Sequence, residues 1–161
     1  MPEENQIIHG HKISSAYDSI IWNYATQYDF DPLFIKAIIA IESDYDTYAV
    51  LPESYYFEKL KHDYRGVERL HLSCSWGLMQ VMGIVAKERG FSGNYETLLS
   101  PHIGIQWGCH YLSYLANHWE FMDDRLLAGA YNGGPGKPNE VYAEKVMRIY
   151  IRLKELTQEG E

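Results

Sequence analysis

The sequence has no apolar run long enough to cross a bilayer and no excess of basic residues. Its longest apolar segment, residues 33–41, is interrupted by Lys36, whereas a membrane-spanning helix needs roughly 20 apolar residues. Fourteen lysines and arginines stand against 22 aspartates and glutamates, which gives a formal net charge of −8. A nucleic-acid binder needs a basic surface that neutralises phosphates. We therefore expect neither a nucleic-acid partner nor membrane insertion.

Cysteine is scarce, and the sequence lacks the spacings of known metal sites. Cys74 and Cys109 are its two cysteines, which can form one disulfide at most and are expected to be buried thiols. The seven histidines show no His-Glu-x-x-His pattern and no cluster with the cysteines. We expect no metal and no cofactor. Residues 1–12 lack the apolar segment of a secretory signal, so synthesis in the cytoplasm without a signal peptide is expected.

The 161 residues are enough for one domain, and 46% of them are hydrophobic, which suffices for a substantial core. We therefore treat residues 1–161 as a single domain. The polar stretches at 1–13 and 155–161 are predicted to be flexible ends.

Apolar residues recur mainly at helical spacings of three and four, and alternating strand patterns are scarce. The pair Asp31-Pro32 is typical of a helix start, with Asp as N-cap and Pro in the first turn. The predicted class is mostly α with at most a small β element. Helices are predicted at about residues 15–28, from 32 to about 42, at about 53–63, from 77 to about 90, after 101, from about 124 to 131, and from about 142 to 156.

Glu42 is the residue whose position best suits acid chemistry. It ends an apolar helix, where burial and the negative end of the helix dipole both raise the pKa of a carboxyl group. A carboxyl with a raised pKa can donate a proton near neutral pH. A solvated glutamate at a helix end would occupy the same position, so position alone leaves both readings open.

A glycine-rich segment, Asn-Gly-Gly-Pro-Gly at 132–136, follows Tyr131. Glycines let the backbone approach a ligand closely, and Tyr and Asn offer a stacking face and hydrogen bonds. An ordinary helix stop and turn would have the same composition. This segment alone does not decide between a binding loop and a simple turn.

Five segments occur in a fixed order along the chain. They are Asp31-Pro32 through Ile41-Glu42-Ser43, Gly77-Leu78-Met79-Gln80-Val81-Met82, Gly108-x-x-Tyr111-Leu112-x-x-Leu115, Ala130-Tyr131-Asn132-Gly133-Gly134-Pro135-Gly136, and Tyr142-x-x-Lys145-Val146. This series resembles the catalytic domain of soluble lytic transglycosylases, which are relatives of goose-type lysozyme. The resemblance extends over about residues 14–153 and implies a lysozyme-like fold. The long stretch between Glu42 and Gly77 is similar to that of phage and prophage members.

The resemblance implies an enzyme that cleaves the β-1,4 bond between N-acetylmuramic acid and N-acetylglucosamine in peptidoglycan strands. Glu42 would protonate the leaving oxygen and then accept a proton from the 6-hydroxyl of the muramic residue, giving 1,6-anhydromuramic ends. Two of the implied substrate-binding residues, Met79 and Tyr142, also suit a hydrophobic core, so both readings of them stay open. The full implied set of substrate-binding residues is Ser75, Met79, Gln80, Tyr131, Asn132 and Tyr142.

Two alternatives remain from the sequence. The same fold could act as a muramidase that adds water, for which an inverting mechanism needs a second carboxylate roughly 6.5–9.5 Å away; among the acidic residues after Glu42, Glu53 is the candidate. The chain could also be a non-catalytic wall-binding or phage structural module. Without a signal, delivery as a phage endolysin or by a secretion or injection apparatus is expected. A monomer is the default expectation.

Overall fold

The computed structural model describes residues 5–118 and 123–160. Their fold is mostly helical with two small antiparallel sheets, as the sequence predicts. Two short 3-10 helices, Leu60–His62 and Tyr95–Leu99, complete the regular structure of this part. The strands and helices in chain order are β1 (Asn5–Ile8), β2 (His11–Ser14), α1 (Asp18–Gln27), α2 (Pro32–Ser43), β3 (Val50–Pro52), α3 (Ser54–Lys59), α4 (Gly66–Leu72), β4 (Cys74–Trp76), β5 (Val81–Met82), α5 (Gly83–Glu88), α6 (Pro101–His118), α7 (Asp124–Gly133) and α8 (Glu140–Glu159).

Helix α2 lies at the centre of the core. The Asp31 side chain accepts a hydrogen bond from the Leu33 N–H at 2.9 Å, and Pro32 occupies the first turn, so the predicted N-cap is confirmed. Every residue from 34 to 40 is buried, because α2 packs against α1 on one side and α8 on another. The helix ends at Ser43, which puts Glu42 in its last turn.

Helix α7 packs between α6 and α8. Asp123 caps it by accepting a hydrogen bond from the Leu126 N–H at 2.7 Å. Helix α8 buries the apolar stripe expected from its spacing, including Tyr142, Val146 and Ile149. These contacts bring the ends of α2, α7 and α8 together on one side of the core.

The three-stranded sheet β3–β4–β5 corrects one prediction. A helix was expected to open at Gly77, but Gly77 and Gln80 have positive φ angles of 68° and 47° and form a turn. After this turn β5 pairs with β4, and α5 begins only at Gly83. The apolar spacing from Leu78 onward suits a helix, but the left-handed turn and the strand pairing override it.

Other differences lie near the chain ends and after β3. Helix α4 occupies a stretch that was expected to be irregular. Regular structure also enters both stretches that the sequence predicts to be flexible: β1 and β2 form a hairpin that buries Ile8 and Ile13, and α8 continues to Glu159. Residues 1–4 and 161 lie outside the described part of the chain.

Cys74 and Cys109 are free and buried, which confirms the expected thiols. None of the helices in residues 5–118 and 123–160 combines the length and the apolar composition that a membrane span requires.

Candidate active site

A cavity of about 410 Å³ opens where the end of α2 faces the three-stranded sheet. Six of the residues singled out from the sequence meet in it. Its walls are formed by Glu42, Leu51, Glu53, Tyr56, Ser75, Gln80, Val81, Met82, Val85, Tyr111, Tyr131, Asn132, Gly133 and Gly134.

Glu42 is half-buried and lines this cavity, with protein on its other sides. Burial raises the pKa of its carboxyl group to about 7; a hydrogen bond from Tyr142 acts in the opposite direction, and the negative charge of Glu53 adds to the increase. The position of Glu42 at the negative end of the α2 dipole favours the same direction. A carboxyl with this pKa can both give and take a proton at neutral pH.

Tyr142, on the buried face of α8, holds the Glu42 carboxyl group in place. Its hydroxyl donates a hydrogen bond to Glu42 Oε1 at 2.6 Å. Burial and the nearby Glu42 charge raise the pKa of Tyr142 well above its ordinary value, so the hydroxyl stays protonated and remains a donor. Its ring is part of the core and does not line the cavity. Tyr142 is therefore a core residue that does not line the cavity as the resemblance implies, and it acts on the site through its hydrogen bond to Glu42.

Tyr131 lines the cavity that contains Glu42 whereas Met79 lies behind its wall, and here one expectation is corrected. Tyr131 lines the cavity, and its hydroxyl donates to the Met79 carbonyl at 2.7 Å. The Met79 side chain is fully buried and does not line the cavity as the resemblance implies. A Cβ at Gly108 would lie 2.3 Å from Met79 Sδ, which shows how closely α6 packs on this side chain. Met79 supports the site from beneath through its carbonyl group.

Gln80 reaches the cavity from a left-handed backbone conformation. Its Nε2 donates to the carbonyl groups of Ala49 at 3.1 Å and Gly77 at 2.9 Å. These bonds use both amide hydrogens, so the side-chain oxygen is the atom that can accept from a ligand. Gly77 is required in this turn because a Cβ there would lie 2.5 Å from the Leu98 carbonyl oxygen.

Ser75 and Glu53 lie on the sheet side of the cavity. Ser75 sits in β4 opposite Leu51 of β3 and Met82 of β5. Glu53 directly precedes α3, and its backbone N–H donates to the Ser73 carbonyl at 2.9 Å. Glu53 lines the cavity, and its charge is close enough to raise the pKa of Glu42.

Asn132 and the glycines after it close the cavity at the corner between α7 and α8. Asn132 Oδ1 accepts a hydrogen bond from Asn139 Nδ2 at 2.8 Å. The Asn139 N–H donates to the Gly129 carbonyl at 2.9 Å, so the corner is fixed on both sides. The glycine-rich segment is thus both a helix stop and a cavity wall.

Two tyrosines in the cavity wall were not singled out from the sequence. Tyr111 belongs to the segment that begins at Gly108, and its ring lies 5.4 Å from that of Tyr131 between centroids. Tyr56 belongs to an aromatic run in the stretch after Glu42, and its face toward the cavity follows from the position of α3. Two features of the sequence could have pointed to these residues. Tyr111 stands in one of the five family-like segments, and Tyr56 stands in an aromatic run near the candidate acid Glu42. Together the three rings give the cavity aromatic faces suited to sugar rings.

A family model described as a transglycosylase SLT domain matches residues 19–148. Among solved structures, the fold is similar to that of an inactive Glu-to-Gln mutant of the lytic transglycosylase Slt from Pseudomonas aeruginosa, with a TM-score of 0.66 and 20% sequence identity. That match covers 88% of this chain and 24% of the Slt chain, so this chain spans about a quarter of that protein.

Proposed function

The chain belongs to the family of transglycosylase SLT domains, and we propose that it is a peptidoglycan lytic transglycosylase in which Glu42 is the single acid and base. We propose that the 161 residues of the chain form one catalytic domain. The expected phage-like branch, endolysin-type delivery and monomeric state stay predictions from the sequence.

The environment of Glu42 is the main observation that supports this function. A transglycosylase needs one carboxyl group that gives a proton and then takes one back. The pKa of about 7 suits both steps, because neither protonation state of Glu42 is strongly disfavoured at neutral pH. In the described part of the chain no Lys or Arg forms an ion pair with this carboxyl group, so no cation fixes it in the charged form.

The reaction proceeds in two proton transfers. Protonated Glu42 donates its proton to the glycosidic oxygen as the bond from that oxygen to the anomeric carbon of the muramic residue breaks. The 6-hydroxyl oxygen of the same residue then bonds to the anomeric carbon, and its proton passes to the ionised Glu42. The products are a 1,6-anhydromuramic end and a free 4-hydroxyl, no water is consumed, and Glu42 returns to its starting state.

The other cavity residues support the binding of a glycan strand. The Gln80 amide oxygen, the Ser75 hydroxyl group and the Asn132 side chain offer neutral hydrogen-bonding groups. Tyr56, Tyr111 and Tyr131 offer aromatic faces. Sugar rings combine hydroxyl groups with apolar C–H faces, so this mixture of walls is suited to a saccharide ligand.

A hydrolytic muramidase is the second candidate, and one observation favours it. Glu53 lines the same cavity as Glu42 and acts on its pKa, so a second carboxyl group is available to hold a water molecule. In an inverting mechanism, Glu53 would activate that water while Glu42 protonates the leaving oxygen.

The experiment is mass spectrometry of the soluble fragments released from purified peptidoglycan by the wild-type chain, Glu42→Gln and Glu53→Gln. We expect 1,6-anhydromuramic ends from wild type, and loss of cleavage by at least about a hundredfold in Glu42→Gln. Glu53→Gln should keep the anhydro ends. Reducing ends that disappear in Glu53→Gln would establish the muramidase instead. Binding of the wild-type chain to the wall without any fragment release would contradict both enzymatic functions and would support a non-catalytic wall-binding module.

A further inference from the structure

Lys36 is a charged residue in the buried core that the proposed reaction does not use. It lies in the middle of α2 with 9% of its side chain exposed, and its Nζ donates to Asp18 Oδ1 at 2.5 Å. Burying an ammonium group is costly, and a buried ion pair often stabilises a fold no better than apolar residues of the same size. Stability alone therefore gives a weak reason for this pair.

The Lys36–Asp18 pair faces a second cavity of about 310 Å³, whose walls come from the β1–β2 hairpin, α1, α2 and α8. This volume is at the lower end of the range for small-molecule sites, roughly 300–1,000 Å³. None of the residues lining it lines the cavity that contains Glu42. The apolar part of its wall consists of Ile13, Trp22, Leu33, Leu153 and Leu156.

Trp22 supplies the aromatic ring in the wall of this cavity, and 49% of its surface is accessible. The same indole also borders a shallow groove along α1. The other residues of that groove are neutral hydroxyl and amide side chains, namely Ser19, Asn23, Thr26 and Gln27. A half-exposed indole is thus flanked by a charged pocket on one side and by neutral polar groups on the other.

This combination matches the chemistry of a sugar. An indole face stacks on the C–H face of a pyranose ring. The Asp18 carboxylate has lone pairs beyond the one used by Lys36, and Lys36 has further N–H donors, so the pair can receive and supply hydrogen bonds to neighbouring hydroxyl groups. A charged ligand would disturb the balance of this ion pair, whereas a neutral saccharide would not.

We propose that the cavity between α1, α2 and α8 is a second, non-catalytic saccharide site, with Trp22 as the stacking platform and the Lys36–Asp18 pair as the hydroxyl-binding group. That its ligand is wall glycan rests on the proposed function. A repeating polymer can occupy both sites of one molecule or join two molecules, so the second site raises retention on the wall without contributing to cleavage.

The first test is an NMR titration of Glu42→Gln with the tetramer of N-acetylglucosamine, which this variant cannot consume. The indole N–H signal of Trp22 is assigned by its absence in Trp22→Ala. We expect this signal and the amides of α1 to shift with saturation, independently of the signals around Gln80. No shift at Trp22 at millimolar ligand, or a shift that follows self-association instead of ligand, would overturn the proposal.

The second test measures retention on insoluble walls in the Glu42→Gln background. Trp22→Ala should weaken binding about tenfold, the size expected for one aromatic contact. Tyr48→Ala removes another exposed ring, 78% accessible, from outside the site and should leave retention unchanged. Equal losses in both variants, or none in either, would contradict the site.

A third variant separates binding from folding. Replacing the pair together, Lys36→Met with Asp18→Asn, should leave the melting temperature close to that of the parent while weakening the tetramer severalfold. Unchanged affinity would contradict the role of the pair. Fragment release by the wild-type chain tests the proposed function separately. A shift of the Trp22 signal without fragment release would contradict the proposed enzyme activity and support the second site. Fragment release without a shift of the Trp22 signal would support the activity and contradict the second site.

Discussion

The two walls of the cavity that contains Glu42 hold their carboxyl groups in different ways. Glu42 belongs to the helical wall, at the end of the buried helix α2, and accepts a hydrogen bond from Tyr142 of α8. Glu53 belongs to the sheet wall, directly before the six-residue helix α3, which contains no buried residue. The hydrogen bond that fixes Glu53 in place comes from its backbone, not from its carboxyl group.

This difference suggests that the two walls have different tasks: the helical wall fixes the Glu42 carboxyl group, and the sheet wall leaves Glu53 less constrained. The helical wall is packed on both sides, so it holds the Glu42 carboxyl group in one position and keeps part of it from water, which raises its pKa. In the sheet wall, Glu53 lies between Leu51, which is 54% exposed, and a helix without buried residues, so its surroundings are less tightly packed than those of Glu42. The reacting carboxyl should therefore tolerate change far less than its neighbour across the cavity.

The largest expected effect comes from shortening each carboxyl side chain by one methylene group. Glu42→Asp should lower the rate of fragment release about a hundredfold, because a packed wall cannot follow a group that has moved back by more than an ångström. Glu53→Asp is the matched change in the sheet wall and should cost less than about threefold. Both rates are measured by fragment release at one pH.

Similar losses in the two Asp variants would remove the distinction between the walls. A larger loss in Glu53→Asp than in Glu42→Asp would make Glu53 the residue that needs exact placement, as a water-holding base does.

The next effect concerns Tyr142, which links α8 to Glu42. Tyr142→Phe removes a hydrogen bond that lowers the pKa of Glu42, so this pKa should rise further. Because the proposed reaction starts from protonated Glu42, kcat/KM should fall as pH rises through this pKa, and in Tyr142→Phe that fall should move to higher pH. We also expect a loss of about tenfold in rate from poorer positioning. A loss of rate with an unmoved pH profile would mean that Tyr142 is only a core residue.

A smaller effect is expected on stability. The pKa of Glu42 is raised in the folded protein, so the folded state binds the proton more tightly than the unfolded state. The free energy of unfolding therefore falls as pH rises between about 4.5 and about 7. Above this range Glu42→Gln, which stays neutral, should be more stable than wild type by about 1 kcal/mol, allowing for the water-facing side of the group. Urea unfolding at pH 4 and pH 8 measures the difference, which should shrink at pH 4.

The smallest effect comes from removing the charge of Glu53. Its charge raises the pKa of Glu42, so Glu53→Gln should move the fall of kcat/KM to lower pH, in the direction opposite to Tyr142→Phe. At the low-pH plateau the rate should change by less than about threefold. A shift in the same direction as in Tyr142→Phe would contradict the electrostatic account of the site.

The helical wall could be predicted from the sequence to a large extent. Asp31-Pro32 starts α2, the apolar run buries it, and the polar residues after Ile41 end it, so Glu42 was placed at a buried helix end. The regular spacing of α8 likewise placed Tyr142 on a core face. Local propensity and periodicity suffice for such elements because helix formation depends on near neighbours.

The sheet wall and the contacts between elements could not be predicted in this way. The turn from Gly77 to Gln80 depends on positive φ angles and on the Leu98 carbonyl group, which no spacing reveals. Met79 is buried because α6 packs on it through Gly108. The hydrogen bond from Tyr142 joins residues 100 positions apart. Such facts follow from tertiary packing, and the resemblance to a family supplied only part of them.

The most direct test of the central claim is the titration of the Glu42 carboxyl group by carbon-13 NMR, with its signal assigned by comparison with Glu42→Gln. Wild-type protein labelled at the glutamate side-chain carboxyl carbon is followed from pH 3 to pH 9. A midpoint of about 7 is the result that the account predicts, and it would establish Glu42 as a group able to donate and accept protons at neutral pH. A midpoint near the ordinary value of 4.5 would contradict the claim that burial prepares Glu42 for this reaction.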